Sequence, residues 1–124
     1  MLRIIAVLLL PLWGLDAADF SKWWPQFQAA VANGNAKAVA HGAHFPMDWE
    51  NGKIRLIKSE DDFVKRFEVY FTPEIKKAIA TGKPERLGPV EYGVTWKARG
   101  NEYTIQFKPE GDAYALAWLS EGPP

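Results

Sequence analysis

Residues 90–119 read VEYGVTWKARGNEYTIQFKPEGDAYALAWL, and the period of this stretch decides the fold. Val90, Tyr92, Val94, Trp96 and Ala98 alternate with Glu91, Gly93, Thr95, Lys97 and Arg99, the pattern of a strand with one buried face. Gly100-Asn101 turns the chain, and Tyr103, Ile105 and Phe107 then alternate with Glu102, Thr104, Gln106 and Lys108. After a second turn at Gly111-Asp112, the run from Ala113 to Leu119 is apolar on both sides. Its period places Tyr114, Leu116 and Trp118 on one face and Ala113, Ala115, Ala117 and Leu119 on the other. A strand with no polar face belongs inside a sheet and is covered on its second side. The stretch therefore predicts a three-stranded meander whose last strand is interior.

Upstream the period becomes helical. Phe20, Trp23, Trp24, Phe27 and Val31 share one face between Asp19 and Gly34, with Ser21 as the expected cap and Pro25 near the first turn. Asn35 caps a second helix from Ala36 to about Ala43. Residues 45–49 are extended, Asn51-Gly52 is a hairpin turn, and residues 54–57 return as a strand. Pro46 puts the first of these strands at a sheet edge or at its own start. Ser59 caps a third helix with Glu60, Asp61 and Asp62 at the positive end of its dipole and Phe63, Phe67, Tyr70 and Phe71 as the buried stripe. Thr72-Pro73 restarts the helix, with Ile75, Ala78 and Ile79 inward and Gly82 at its end.

Two helices, a hairpin, a helix broken at Thr-Pro and a meander make an α+β layer with helices on one face. The residues Phe27, Ala30-Val31, Gly34-Asn35, Ala38-Val39-Ala40 and Phe45-Pro46, followed by Ser59 to Phe71, resemble small exported bacterial members of the NTF2-like (cystatin-like) superfamily. The resemblance implies a cone: a curved, mostly antiparallel sheet packed on three helices, with a pocket at its mouth. It implies no single activity, because one fold hosts isomerases, dehydratases, transport factors and immunity proteins alike.

The chain has 124 residues and begins with a short positive start (Arg3) before an apolar run from Ile4 to Trp13. That run is well short of the ~20 residues of a membrane span, and Gly14-Leu15-Asp16-Ala17-Ala18 supplies a small-residue exit. We read residues 1–17 as a signal peptide and 18–124 as one domain preceded by it. There is no cysteine, which excludes disulfides, thiolate chemistry and a lipidated cysteine and points to the bacterial periplasm. The formal net charge is zero, and with no basic excess neither nucleic acid nor an anionic membrane surface is an expected partner.

The candidates for chemistry are few. A ketosteroid isomerase of this superfamily sets a carboxylate base beside a tyrosine and a protonated acid in an apolar pocket. By that resemblance Asp48, on the first strand, is the catalytic base candidate and Tyr92 the hydroxyl donor, with Tyr70 and Tyr103 as alternatives; against this, Asp48 precedes a turn, where a carboxylate is ordinarily solvated. His41, His44 and Asp48 have the composition of a two-histidine, one-carboxylate metal site, but His44 falls past the helix end and no metal is expected. Serine-nucleophile and glycine-rich phosphate motifs are absent, and no cofactor is implied. The aromatic content, with six Trp and seven Phe, either fills a core or lines a pocket. In the second case Trp24, Trp49, Tyr70 and Trp96 are the ligand-binding set. The expected function is a non-enzymatic binding module for a small apolar ligand or a protein partner. The alternatives are a cofactor-free acid–base isomerase or dehydratase, and a periplasmic immunity or inhibitor protein. The alanine face of the last strand suggests a homodimer.

Overall fold

The structure, a computed structural model, describes residues 19–124; the signal peptide read at residues 1–17 lies outside them. The meander forms β4 (Tyr92–Ala98), β5 (Asn101–Glu110) and β6 (Ala113–Gly122). With β1 (Met47–Asn51), β2 (Ile54–Ile57) and β3 (Glu85–Arg86) they make one six-stranded sheet in the order β2-β1-β6-β5-β4-β3. All pairs are antiparallel except β1 with β6, which run parallel at Trp49 and Leu119. β6 is thus interior, as its two apolar faces require. Arg99 and Gly100 have φ of +52° and +78°, the two left-handed residues of a type I′ turn that matches the twist of the strands it joins.

Two departures from simple alternation matter. Val90 is 47% exposed, and β4 starts only at Tyr92. Residues 87–91 instead form a loop in which the Leu87 N–H donates to the Glu91 carbonyl and the Tyr114 hydroxyl to that of Val90. In β6, Gln106 faces Trp118 while Phe107 faces Leu116, so Ala117 is an extra, bulged residue. A one-residue bulge reverses the alternation beyond it. Tyr114, Leu116 and Leu119 therefore face the core, and Trp118 turns to the opposite face, half-buried, with the Lys108 ammonium 6.0 Å from its ring. Ala115 and Ala117 are only 3% and 7% exposed within the one chain, so they do not offer the open alanine face on which a second sheet was expected to pack.

The helices are α1 (Phe20–Ala32), α2 (Ala36–His41), α3 (Glu60–Lys65), α4 (Phe67–Tyr70) and α5 (Pro73–Thr81). Asp19, not Ser21, caps α1: its carboxylate accepts from both the N–H and the hydroxyl of Ser21. Pro25 lies inside α1, in the second turn rather than the first, where its missing N–H leaves only the carbonyl of exposed Ser21 unpaired. Asn35, Ser59 and Thr72 cap α2, α3 and α5 through their side chains. The expected third helix is broken twice, at Arg66 as well as at Thr72-Pro73. The first break lets Phe67 and Phe71 stack (5.0 Å, 20°) with both rings against Phe63. Among the described residues no helix is long and apolar enough to cross a membrane.

Rings fill the space between helices and sheet in two clusters. Phe20, Trp24 and Phe27 of α1 meet Tyr92, Phe107 and Tyr114. Trp49 of β1 meets Phe71, while Phe63 contacts Phe45, Phe67 and Tyr70. Trp49, Tyr70, Phe63, Phe71 and Phe107 are among the fully buried side chains. Close-packed rings of this kind leave few voids large enough for a guest.

Candidate functional site

The polar groups that converge do so where α5 begins, over the turn between β4 and β5. The short turn sends Arg99 back over Tyr103, with its guanidinium 5.2 Å from the ring. Thr72 and Pro73 start α5 here, which sets Glu74 in the first turn facing the same place. The Glu74 carboxylate accepts from the Trp96 indole N–H (2.8 Å) and from two Arg99 nitrogens (2.6 and 3.1 Å). Arg99 also donates to the Tyr103 hydroxyl (3.1 Å), which donates to Glu121 (2.7 Å); Asn101 donates to the same Glu121 oxygen (3.1 Å). The Glu121 backbone N–H donates to Glu50, tying β6 to β1. Trp96 stacks on Tyr103 (5.6 Å, 14°). Bidentate pairing of this sort fixes geometry as well as charge.

Arg99 and the Trp96 N–H hold the Glu74 carboxyl below the ordinary carboxylate range. A depressed folded pKa means stability that is complete above the unfolded value, near 4.5, and is lost as the pH falls through the lower folded value. Glu74→Gln is therefore expected to flatten the acid limb of a stability–pH curve measured by urea unfolding between about pH 3 and 6. An unchanged limb would mean that Arg99 does not hold this carboxylate in solution.

Of the residues singled out from the sequence, the structure brings few together. Asp48 is exposed between buried Met47 and Trp49, so it points to the face of the sheet away from the helices. Tyr92 is on the helix side, three strands away in the sheet, with its ring stacked on Phe20 (4.1 Å, 5°). Base and donor thus lie on opposite faces and share no site. Trp24 and Trp49 are core residues; the Trp49 indole N–H donates to the Tyr70 carbonyl (3.2 Å). Tyr70 is buried too, and its hydroxyl donates to Asp62 and accepts from Arg66 (3.1 Å). Burial first, then the Asp62 carboxylate, pushes its pKa up. His44 pairs with Glu110 (2.9 Å), and His41 is exposed on α2. Among the described residues no three His, Cys, Asp or Glu side chains come close enough to hold a metal.

Among the clefts formed by the described residues, Trp96 is the member of the ligand-binding set that borders one. A cleft of about 290 Å³ between α5 and β4 is lined by Glu74, Lys77, Ala78, Thr81, Trp96 and Lys97. Glu74, Arg99 and Glu121 escaped the sequence reading. Glu74 was not singled out at the helix start, and Arg99 was read as the last alternating strand position before a turn at Gly100-Asn101. The turn is instead Arg99-Gly100, closed by the Ala98–Asn101 pair, which carries Arg99 back over the site.

No known family model matches the sequence, and no curated protein matches it. Among solved structures, the chain is similar to a protein from Xanthomonas campestris assigned as a calcium/calmodulin-dependent protein kinase II association domain, at 12% identity over 84% of each chain with a TM-score of 0.49. It is also similar to an NTF-2-like protein of unknown function from Shewanella oneidensis, at 12% identity over 86% of this chain and 97% of the other, with a TM-score of 0.48.

Proposed function

We propose that this chain is an exported NTF2-like binding module without catalytic activity, and that it binds a protein through its surface. The observation that carries the reading is the ring packing between helices and sheet among the described residues. Trp24, Trp49 and Tyr70, the rings that would line an apolar pocket, are packed against other rings and backbone. An immunity or inhibitor protein is one form of the same reading. The acid–base alternative loses its support, because Asp48 and Tyr92 face opposite sides of the sheet.

An apolar dye tests it. Anilinonaphthalene sulfonate should give no saturable fluorescence increase with the native protein, since a close-packed interior has no room for it. Asp48→Asn should change stability by less than about 0.5 kcal/mol, as expected of an exposed residue. One-site saturable dye binding, with quenching of tryptophan emission, would overturn the reading and restore a small apolar ligand.

A further inference from the structure

β4 is an edge strand over most of its length. β3 pairs only with Tyr92 and Gly93, and among the described residues no strand covers residues 94–98 on that side. The two-residue turn closes the hairpin at the Ala98–Asn101 pair, so Ala98, Trp96 and Val94 exchange backbone bonds with β5. Thr95 and Lys97 consequently turn their N–H and C=O groups to the open side. The Glu91 carbonyl, in the same phase, accepts from Leu87 on that side. Thr95 and Lys97 are both exposed.

The cleft beside α5 runs along this open edge, and an exposed lysine flanks the edge on each face of the sheet. Glu74 is taken up by Arg99 and Trp96, which leaves Lys77 as the cation on the helix side of the edge. Lys97, next to Trp96 in β4, projects from the opposite face, and neither lysine forms an ion pair among the described residues. Glu102 stands opposite Lys97 in register on β5 and shares its outer face, one strand further from the open edge, without an ion pair to it. The half-buried Trp96 supplies an apolar wall. Both ends of α5 are anchored to β4, at Gly82 against Val94 and at Glu74 against Trp96. The width of the cleft is therefore set before anything binds, which lowers the ordering cost of binding.

We infer that the open edge of β4 is a docking site for an extended acidic segment of a partner protein, added as a strand beside Thr95 and Lys97. Backbone bonds supply the affinity in this mode and alternate side chains the specificity. Here acidic side chains on the outer face of the added strand meet Lys97, and apolar ones on the inner face cover Trp96, with Lys77 drawing the segment from the helix side. A second copy of this chain is the poorer occupant, because edge-to-edge pairing would bring like-charged lysines together. The inference rests on the protein-binding reading above.

The test uses a peptide of about six residues, the usual strand length, with alternating Glu and Val. It is titrated into ¹⁵N-labelled protein. Amide exchange of Thr95 and Lys97 should slow about tenfold or more and the Trp96 indole resonance should shift, as backbone pairing requires. The same peptide N-methylated at alternate residues, and a Lys-Val peptide, should fail to bind. The double variant Lys77→Glu, Lys97→Glu should weaken binding about tenfold with an unchanged Tm, since both side chains are exposed. Absence of protection at millimolar peptide, indifference to N-methylation, or concentration-dependent protection without peptide would each overturn the edge site. Shifts confined to another surface would also overturn it while leaving the binding-module reading standing.

Discussion

Trp49→Ala is expected to cost about 3–5 kcal/mol of folding stability, the range for removing a fully buried aromatic ring. Trp49 has 0% exposure, stacks on Phe71 (5.4 Å, 9°) and donates its indole N–H to the Tyr70 carbonyl. Truncation opens a cavity on the inner face of β1 and leaves that carbonyl unpaired, and neither loss is recovered by small shifts in a close-packed interior. For a domain of ordinary stability, about 5–15 kcal/mol, this is roughly a fifth of the total or more. Urea unfolding measures it directly. Trp118→Ala, on the outer face and half-buried, serves as the comparison and should cost clearly less. A loss below about 1 kcal/mol at Trp49 would show a ring lining open space rather than packed core.

The second large effect is expected at Gly82, where α5 stops. A Cβ built there would collide with the Ala78 carbonyl oxygen and lie 2.5 Å from Val94 Cγ1. The φ of −70° is open to any residue, so the demand for glycine comes from proximity and not from backbone angle. Gly82→Val should cost about 3 kcal/mol, at the upper end for overpacking, because both neighbours are fixed, one by its helix and one by the sheet. Thermal unfolding checks it, with Gly52→Ala as a contrast. Gly52 has open space around its Cβ position but a φ of +63°, so its cost is that of a strained turn alone, about 1 kcal/mol. Equal losses at the two positions would mean that α5 does not press on β4 in solution.

Element type was legible where one period ran unbroken. Phe63, Phe67, Tyr70 and Phe71 were read as a buried stripe and are buried, and Tyr103, Ile105 and Phe107 fill the inner face of β5. The parity of β6 was not legible past Ala117, because a bulge depends on partner register and leaves no mark in a run of apolar residues. Trp118 was placed on the wrong face for that reason alone. Val90 failed differently: it continued the alternation, but β3 and the 87–91 loop end the ladder before reaching it. The interacting group at the start of α5 was invisible because its members are 25 residues apart or more in the cases of Glu74 with Arg99 and Glu50 with Glu121. Composition found aromatic residues in excess; only packing divides them into core rings such as Trp49 and Phe63 and those, such as Trp96 and Trp23, that border a cleft.

The extra residue at Ala117 makes β6 a strand with two addresses. Before it, Tyr114 reaches the rings of α1; after it, Leu119 sits level with Trp49 and the rings around α3 and α4. The two helical bodies can thus be served by one strand without matching each other's phase. For anyone aligning relatives or recombining segments, a one-residue gap here is a change of frame rather than a tolerable length variation. A graft of the C-terminal segment keeps its meaning only if Ala117 travels with it.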